Sequence, residues 1–392
     1  MTQKKRKMMG AALAALVLIA MFAVTVFAGA EDAPKPQMYA TFWSLVPPVI
    51  AIGLALITKE VYSSLFIGIL VGAMFAADFR FEGTVLKVLD DGFIGVLSDF
   101  YNVGILIFLV ILGAMVCMMN AAGGSAAFGR WASTHIKTRI GAQIATIILG
   151  MLIFVDDYFN CLTVGSVMCP ICIIAPISSW AAAVSGFVEG EDGLAIFINA
   201  IPYNFYALLT IIMMFGLVLM RIDYGPMALH EANAMKGDIY TTGKRVDEEQ
   251  EKKFNPKGKV IDLVVPIVIL IICCITGMIY TGGFFSGTDF VTAFSQSEAS
   301  LALSIGSFFA LVLTVIFYVC RRVLSFRGCM ECIPEGFKAM VPAILILTFA
   351  WTLKTMTDSL GADVFVATAM KSASDGLMNL LPAIIFLVGC FL

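Results

Sequence analysis

The chain has 392 residues, of which 60% are hydrophobic and only 14% charged, and its formal net charge is -3. Its mean hydropathy is +0.95, whereas soluble domains are about 45–50% apolar and about 25% charged. These values exclude an ordinary soluble globule. The sequence also lacks the basic patch that nucleic-acid binding requires, so no nucleic-acid partner is expected.

Residues 1–30 have the features of a secretory signal peptide. Residues 4–7 are basic, residues 11–27 are apolar, and Ala28-Gly29-Ala30 has the small side chains of a cleavage site. An uncleaved first membrane helix is the alternative, because the apolar run is long for a signal peptide. Either way, residues 31–39 are predicted to emerge outside.

Apolar runs that can cross a bilayer, which takes about 20 helical residues, follow along the chain. They are predicted at 42–58, 61–79, 103–122, 194–220, 260–280, 301–318 and 341–356. Loops rich in Lys and Arg stay in the cytoplasm. The basic loops around Arg130 and Arg321, and the linker 221–259, then all lie on that side. The sequence therefore predicts an all-α polytopic membrane protein.

The segment 140–188 does not fit as two complete spans, because the basic linker would then lie outside. If residues 140–168 enter the membrane and return to the same side, the charge rule holds. We therefore predict a re-entrant hairpin at about 140–168, with Asp156 and Asp157 at its tip. Non-helical backbone at this depth requires surrounding protein or a water-filled cavity.

The two halves of the chain share a faint pattern. Residues 120–123 follow one apolar span, and the similar residues 358–361 follow another, 238 residues later. The two spans are predicted to run in opposite directions. This indicates an inverted-topology repeat with broken helices (41–220 and 260–392), as in many secondary transporters. Chance similarity is the alternative. The counterpart of Asp156 would be residue 394, so the second repeat is expected to be incomplete.

Asp156 and Asp157 are the strongest candidates for a functional site. A carboxylate at membrane depth costs about 2.5–3.5 kcal/mol and usually marks a site or a proton relay. Asn160, Thr163 and Ser166 complete a set of oxygen ligands that suits a hard cation such as Na+. Desolvation and mutual repulsion disfavour the ionised pair, so a proton and Na+ can compete for one carboxylate. The alternative is a solvated loop tip.

Several other polar residues are candidates for accessory roles. Lys354 is either an internal counter-ion for an aspartate or a side chain that reaches the membrane interface. Asn120 and Asp358, at matching repeat positions, are secondary ligands or helix caps. Ser178 and Ser179 offer ion ligands from unwound backbone, or only allow close helix packing.

Two Cys-x-x-Cys spacings occur among the ten cysteines, at 169/172 and 329/332. Such spacings suit zinc, but free cysteines in apolar segments usually behave as small core residues. We therefore expect core positions and no bound metal beyond Na+.

Residues 154–168, with Asp-Asp-Tyr-Phe-Asn at 156–160, resemble the NhaC family of Na+/H+ antiporters. Residues 175–182 and Ala-Trp-Thr-Leu at 350–353 extend this similarity. The resemblance implies exchange of cytoplasmic Na+ for external H+ in the bacterial plasma membrane, without a cofactor. The implied partners are Na+, H+ and the lipid bilayer, and association into a homo-oligomer stays open. Members of that family are longer near residue 169 and beyond residue 392.

Two other functions compete with cation exchange. Some relatives of this type exchange malate and lactate, which makes an organic-acid exchanger the main alternative. An intramembrane aspartyl protease would also use paired carboxylates for acid–base chemistry. Adjacent residues such as Asp156 and Asp157 point apart, however, so we expect a transporter and not an enzyme.

Overall fold

The computed structural model describes residues 36–135, 138–152, 193–223, 225–236, 238 and 257–371. Within these ranges the chain forms helices joined by turns and contains no strand. The predicted all-α class is therefore confirmed. The N-terminal segment 1–30 and the tip of the predicted hairpin lie outside the described residues.

The α-helices are numbered here in chain order. They are α1 (Val46–Thr58), α2 (Val61–Ala76), α3 (Phe81–Leu86), α4 (Gly95–Ser98), α5 (Phe100–Ala121), α6 (Gly124–His135), α7 (Arg139–Leu152), α8 (Gly193–Ala200), α9 (Phe205–Met220), α10 (Pro226–Ala234), α11 (Ile261–Thr281), α12 (Phe290–Ser295), α13 (Ala299–Cys320), α14 (Phe326–Ser359) and α15 (Ala362–Lys371).

Four of the described helices are long and apolar enough to cross a membrane, namely α5, α11, α13 and α14. They overlap the predicted runs 103–122, 260–280, 301–318 and 341–356. Helix α14 begins well before its predicted run and has 34 residues, so it is about 51 Å long at 1.5 Å per residue. These spans confirm a polytopic membrane protein.

The predicted span 194–220 corresponds to a bent pair of helices, α8 and α9. The two helices are bent by 50° at a short break. Pro202 lies in a single 3₁₀ turn within that break, and the Asn204 side chain accepts a hydrogen bond from the Ala207 N–H at 3.2 Å. A proline followed by an N-cap residue ends one helix and starts the next.

The polar segment between the predicted runs 61–79 and 103–122 is helical. Helices α3 and α4 flank a π-helical segment, Lys87–Ile94, that carries Asp90 and Asp91. Gly92 in this segment packs on Thr352 of α14, and a Cβ atom at Gly92 would lie 3.0 Å from the Thr352 methyl carbon. Tertiary packing thus explains why a polar stretch is ordered.

The chain divides into two compact units. The first comprises the residues up to Val103 and those from Val341 onward, and the second comprises Gly104–Met340. In the first, α1, α2 and the C-terminal part of α14 enclose a core that includes Ile69, Ala73, Val88, Leu353 and Met356. In the second, α5, α11 and α13 enclose Phe108, Leu112, Met115, Leu270, Cys274 and Ala302.

Helices α11 and α13 are in backbone contact at two glycines. A Cβ atom at Gly277 would lie 2.5 Å from the Ala302 carbonyl oxygen, and one at Gly306 would lie 2.7 Å from the Cys274 Cα. Small residues allow this close approach, which is typical of helix packing in membranes. The two helices are therefore packed backbone against backbone along this face.

Candidate functional site

The residues predicted to bind the ion fall outside the described part of the chain. They are Asp156, Asp157, Asn160, Thr163 and Ser166 in the hairpin, together with Ser178 and Ser179. Their assignment stays a prediction. Helix α7, which covers the first part of the predicted hairpin, ends at Leu152.

Lys354 is paired with an aspartate of its own helix. Its Nζ lies 2.6 Å from Asp358 Oδ2, one helical turn away, and the two side chains are 73% and 52% exposed. The structure thus brings together two of the predicted accessory residues. A pair of this kind in an α-helix neutralises both charges locally, so Asp358 does not present an isolated negative charge.

Asn120 forms part of the turn between α5 and α6. Its Oδ1 accepts a hydrogen bond from the Ser125 hydroxyl at 2.6 Å, and its carbonyl accepts one from the Gly123 N–H at 3.0 Å. The side chain is nevertheless exposed. We call residues 120–125 the Asn120 turn. The turn thus orients the Asn120 amide oxygen, while the Asn120 side chain remains exposed.

The matching turn at Asp358 has the same backbone geometry. The Gly361 N–H donates to the Asp358 carbonyl at 2.8 Å, and both Gly123 and Gly361 have positive φ, at 81° and 64°. The next helices also begin alike, because the Gly123 carbonyl accepts from Ala127 and the Gly361 carbonyl accepts from Phe365. All of these residues match at the offset of 238.

Asp262, which was not among the predicted site residues, is a fully buried carboxylate in the first turn of α11. Arg321 at the end of α13 contacts both of its oxygens, with Nε 2.8 Å from Oδ1 and Nη2 3.2 Å from Oδ2. The Lys259 N–H also donates to Oδ2 at 2.8 Å. The signal in the sequence was a carboxylate inside an apolar span, which usually has a structural or functional partner.

The Asp262–Arg321 pair also fits the dipoles of its two helices. A carboxylate is stabilised at a helix N-terminus and a cation at a helix C-terminus. Asp262 occupies the first turn of α11, and Arg321 is the C-cap of α13. The Arg321 guanidinium also lies over the Phe317 ring, 5.6 Å from its centroid. The two formal charges therefore cancel, although the Nε–Oδ1 contact does not have hydrogen-bond geometry.

A proline explains the position of Tyr318. Pro266 within α11 has no N–H to donate to the carbonyl four residues earlier, which is that of Asp262. The buried Tyr318 hydroxyl donates to this carbonyl at 2.7 Å. A side chain of α13 thus replaces the missing backbone donor of α11.

The segment that carries Asp262 also touches the Asn120 turn through its backbone. A Cβ atom at Gly258 would lie 2.6 Å from the carbonyl oxygens of Ala122 and Gly123. One at Gly124 would lie 2.7 Å from the Leu263 nitrogen. Glycine is required on both sides of this contact, so the ion pair and the turn form one assembly.

A second polar region lies in the other compact unit, around a cavity of about 550 Å³. Its wall includes Asp78, Asp90, Asp91, Arg80 and Lys87. Lys87 pairs with Asp91, and Asp78 Oδ1 accepts a hydrogen bond from the Gln37 N–H at 2.8 Å. The mixed charges of this wall do not select a cation.

The cysteines of the described ranges do not form a metal site. Cys329 and Cys332 are buried free thiols in a cluster with Tyr318 and Val323. No group of three or more potential ligand side chains occurs in the part of the chain that the structure describes. Cys169 and Cys172 lie outside it.

Comparison with known proteins gives the family. The sequence profile of the Na+/H+ antiporter family matches residues 161–392, which is more than half of the chain. A protein of Haemophilus influenzae (strain Rd), described as an uncharacterized protein, is 27% identical over 394 residues. That alignment covers 89% of this chain and 73% of the relative. No solved structure matches. The chain thus belongs to the Na+/H+ antiporter family, which is a family of membrane transporters and not a class of enzymes.

Proposed function

We propose that this chain exchanges Na+ for H+ across the bacterial plasma membrane as an antiporter of the NhaC type. The family match supports antiport of cations and protons. The choice of Na+ and of the NhaC type rests on the Asp-Asp-Tyr-Phe-Asn segment at 156–160. In this proposal one carboxylate, Asp156 or Asp157, binds Na+ and H+ in turn.

The pairing of Asp262 and Asp358 with basic residues is the observation that carries this assignment. Asp262 is bound by Arg321, and Asp358 is bound by Lys354. An exchange site needs a carboxylate that can alternate between Na+ and H+ without a permanent cation beside it. Asp156 and Asp157 are then the best candidates at membrane depth, with Asn160, Thr163 and Ser166 as further oxygen ligands.

The same pairing argues against an organic-acid exchanger. Carboxylate substrates are usually held by Arg or Lys side chains that offer several N–H donors. Arg321 gives its donors to Asp262, and Lys354 is bonded to Asp358. Within the described ranges these two cations at the apolar spans are therefore already neutralised.

The repeat in the sequence is part of the proposal. In an inverted repeat, corresponding residues of the two halves make reciprocal contacts across a pseudo-two-fold axis. Gly92, which precedes the first span, contacts Thr352, and Gly336, which precedes the second span, contacts Ala114. Thr352 and Ala114 differ by the offset of 238, whereas Gly92 and Gly336 differ by 244. The segment before each span thus packs against the span of the other repeat, and this swapped packing supports the predicted repeat.

Transport in inside-out membrane vesicles tests the function. A Na+ pulse should release protons from respiring vesicles that contain the wild-type chain, and the Asp157→Asn variant should lose this response. Asp363→Asn is a matched control, because Asp363 is an exposed carboxylate in the first turn of α15. Undiminished exchange in both Asp156→Asn and Asp157→Asn would contradict the assignment. Proton release on addition of malate or lactate, and none with Na+, would identify the organic-acid exchanger.

A further inference from the structure

We propose that Asp262 and Arg321 are positioning residues, which hold the Asn120 turn in the geometry required for cation binding. This inference rests on the proposed function and takes Asn120 as a secondary ligand of the cation, which is one of the two roles predicted for it from the sequence. Neither charged residue needs to contact the ion. Their role would be to fix the main chain against which the turn is packed.

Buried polar contacts fix the backbone position of residues 258–262. Arg321 contacts both carboxylate oxygens of Asp262, the Lys259 N–H donates to one of them, and Tyr318 donates to the Asp262 carbonyl. Three of the four contacts come from side chains at the end of α13, and the fourth is the Lys259 N–H that donates to the carboxylate. The segment therefore cannot shift without breaking buried polar contacts, which are costly to leave unmade.

The fixed backbone of residues 258–262 packs directly against the Asn120 turn. Gly258 faces the carbonyl oxygens of Ala122 and Gly123, and Gly124 faces the Asp262 carbonyl group, at distances that would not admit a Cβ atom. The contact is made by backbone on both sides. No flexible side chain lies between them to absorb a displacement, and packed interiors transmit strain.

The ligand in this proposal is the Asn120 amide oxygen. The Asn120 side chain is exposed, and its Oδ1 accepts a hydrogen bond from Ser125 within the same turn. Groups that orient a ligand from behind typically contribute roughly 10- to 100-fold to ion affinity. A small shift of the turn should therefore weaken cation binding while the exchange step stays intact.

The Arg321→Lys variant tests this role, because it keeps the charge but loses the planar fork that contacts both oxygens. We expect the apparent KM for Na+ in inside-out vesicles to rise about tenfold, with the maximal rate within about twofold. Asp262→Glu, which also preserves the charge, should act in the same way. Arg322→Lys is the matched control: Arg322 is the next residue, and its exposed side chain makes no hydrogen bond or ion pair within the described ranges.

The outcomes separate this role from the proposed function. Wild-type vesicles without Na+/H+ exchange would contradict the proposed function itself. Normal exchange in the wild type, with an unchanged KM in both Arg321→Lys and Asp262→Glu, would overturn only the positioning role. A loss of thermal stability and maximal rate at constant KM would also overturn it, because that result indicates a structural pair. If Arg321→Lys does not accumulate in the membrane, Asp262→Glu alone decides.

Discussion

Tyr318 donates its hydroxyl to the main-chain carbonyl of Asp262 at 2.7 Å, and both residues are fully buried. The carbonyl needs this donor because Pro266, four residues later, has no N–H. Both Tyr318 and Asp262 are shielded from solvent, so the Tyr318 hydroxyl provides the donor that water would otherwise supply. One turn of α11 is therefore completed by a side chain of α13, and the helices are linked at the point where Arg321 binds Asp262.

Removing the Tyr318 hydroxyl should destabilise the protein mainly when Pro266 is present. Tyr318→Phe leaves the Asp262 carbonyl buried without this donor, which should lower the free energy of unfolding by about 1–3 kcal/mol. In a Pro266→Ala background the helix can supply its own N–H, so the same change should cost less. Denaturant unfolding of the four proteins in detergent would measure the difference.

The matched control for this cycle is Tyr280→Phe at the other end of α11, where the side chain is 60% exposed. It should leave the free energy of unfolding unchanged within about 0.5 kcal/mol. An equal cost of Tyr318→Phe with and without Pro266 would show that the hydroxyl does not compensate for the proline.

The buried ion pair should show strong coupling in a double-mutant cycle. Asp262→Asn or Arg321→Gln alone leaves an uncompensated charge, and breaking a buried pair in this way costs about 3–5 kcal/mol. The double variant removes both charges, so its loss of unfolding free energy should be well below the sum of the two single losses. Unfolding in detergent measures all three, and additive losses would contradict direct coupling.

The sequence predicted helices α11 and α13 but not the contact between Asp262 and Arg321 that links them. The runs 260–280 and 301–318 were recognised from hydropathy alone and correspond to α11 and α13. Asp262 was counted inside the first run, although a carboxylate in an apolar span was a signal. Its partner Arg321 is 59 residues away. No local pattern identifies a contact over that distance.

Other differences between the predicted spans and the observed helices also come from features that hydropathy does not detect. Hydropathy predicted one span at 194–220, whereas Pro202 and the cap at Asn204 divide it into α8 and α9. The polar stretch around Asp90 and Asp91 lies between two predicted spans, and Gly92 within it packs on Thr352 of α14. Average hydropathy reports burial in lipid, and it does not detect a break or a tertiary contact.

The crossing of α5 and α14 should not tolerate a side chain at Gly336. A Cβ atom there would lie 2.2 Å from the Ala114 nitrogen, and one at Gly113 would lie 2.5 Å from the Gly336 oxygen. Gly336→Ala must therefore push the two helices apart, which should lower the unfolding free energy by about 1–3 kcal/mol, the cost of overpacking. Thermal unfolding in detergent is the measurement.

Gly328→Ala is the control for that substitution, in the first turn of the same helix. Its nearest atom would be the Ser325 hydroxyl at 3.4 Å, which is ordinary contact. We expect no loss of stability there, because alanine favours a helix over glycine by about 1 kcal/mol. Equal melting temperatures for the two variants would show that the helices are not in backbone contact at Gly336.

The two turns that match at the offset of 238 should respond alike to loss of glycine. Gly123 and Gly361 have φ of 81° and 64°, where an L-residue with a Cβ atom costs about 1–2 kcal/mol. Gly361→Ala should cost more, because its Cβ would also lie 2.8 Å from the Tyr39 ring. Gly53→Ala in α1 is the control, since no atom lies within 4 Å of the added carbon; it should be neutral or stabilising.

Transport measurements can then separate a structural turn from a site. The carbonyls of Asn120 and Asp358 each accept a hydrogen bond from the N–H of the glycine three residues later, at 3.0 and 2.8 Å. If Asn120 is a ligand, Gly123→Ala should raise the apparent KM for Na+ even at temperatures where the variant remains folded. If both turns serve only as helix ends, Gly123→Ala and Gly361→Ala should reduce stability and leave the KM of the folded protein unchanged. The second result would remove Asn120 from the proposed site and would leave Asp156 and Asp157 as its candidates.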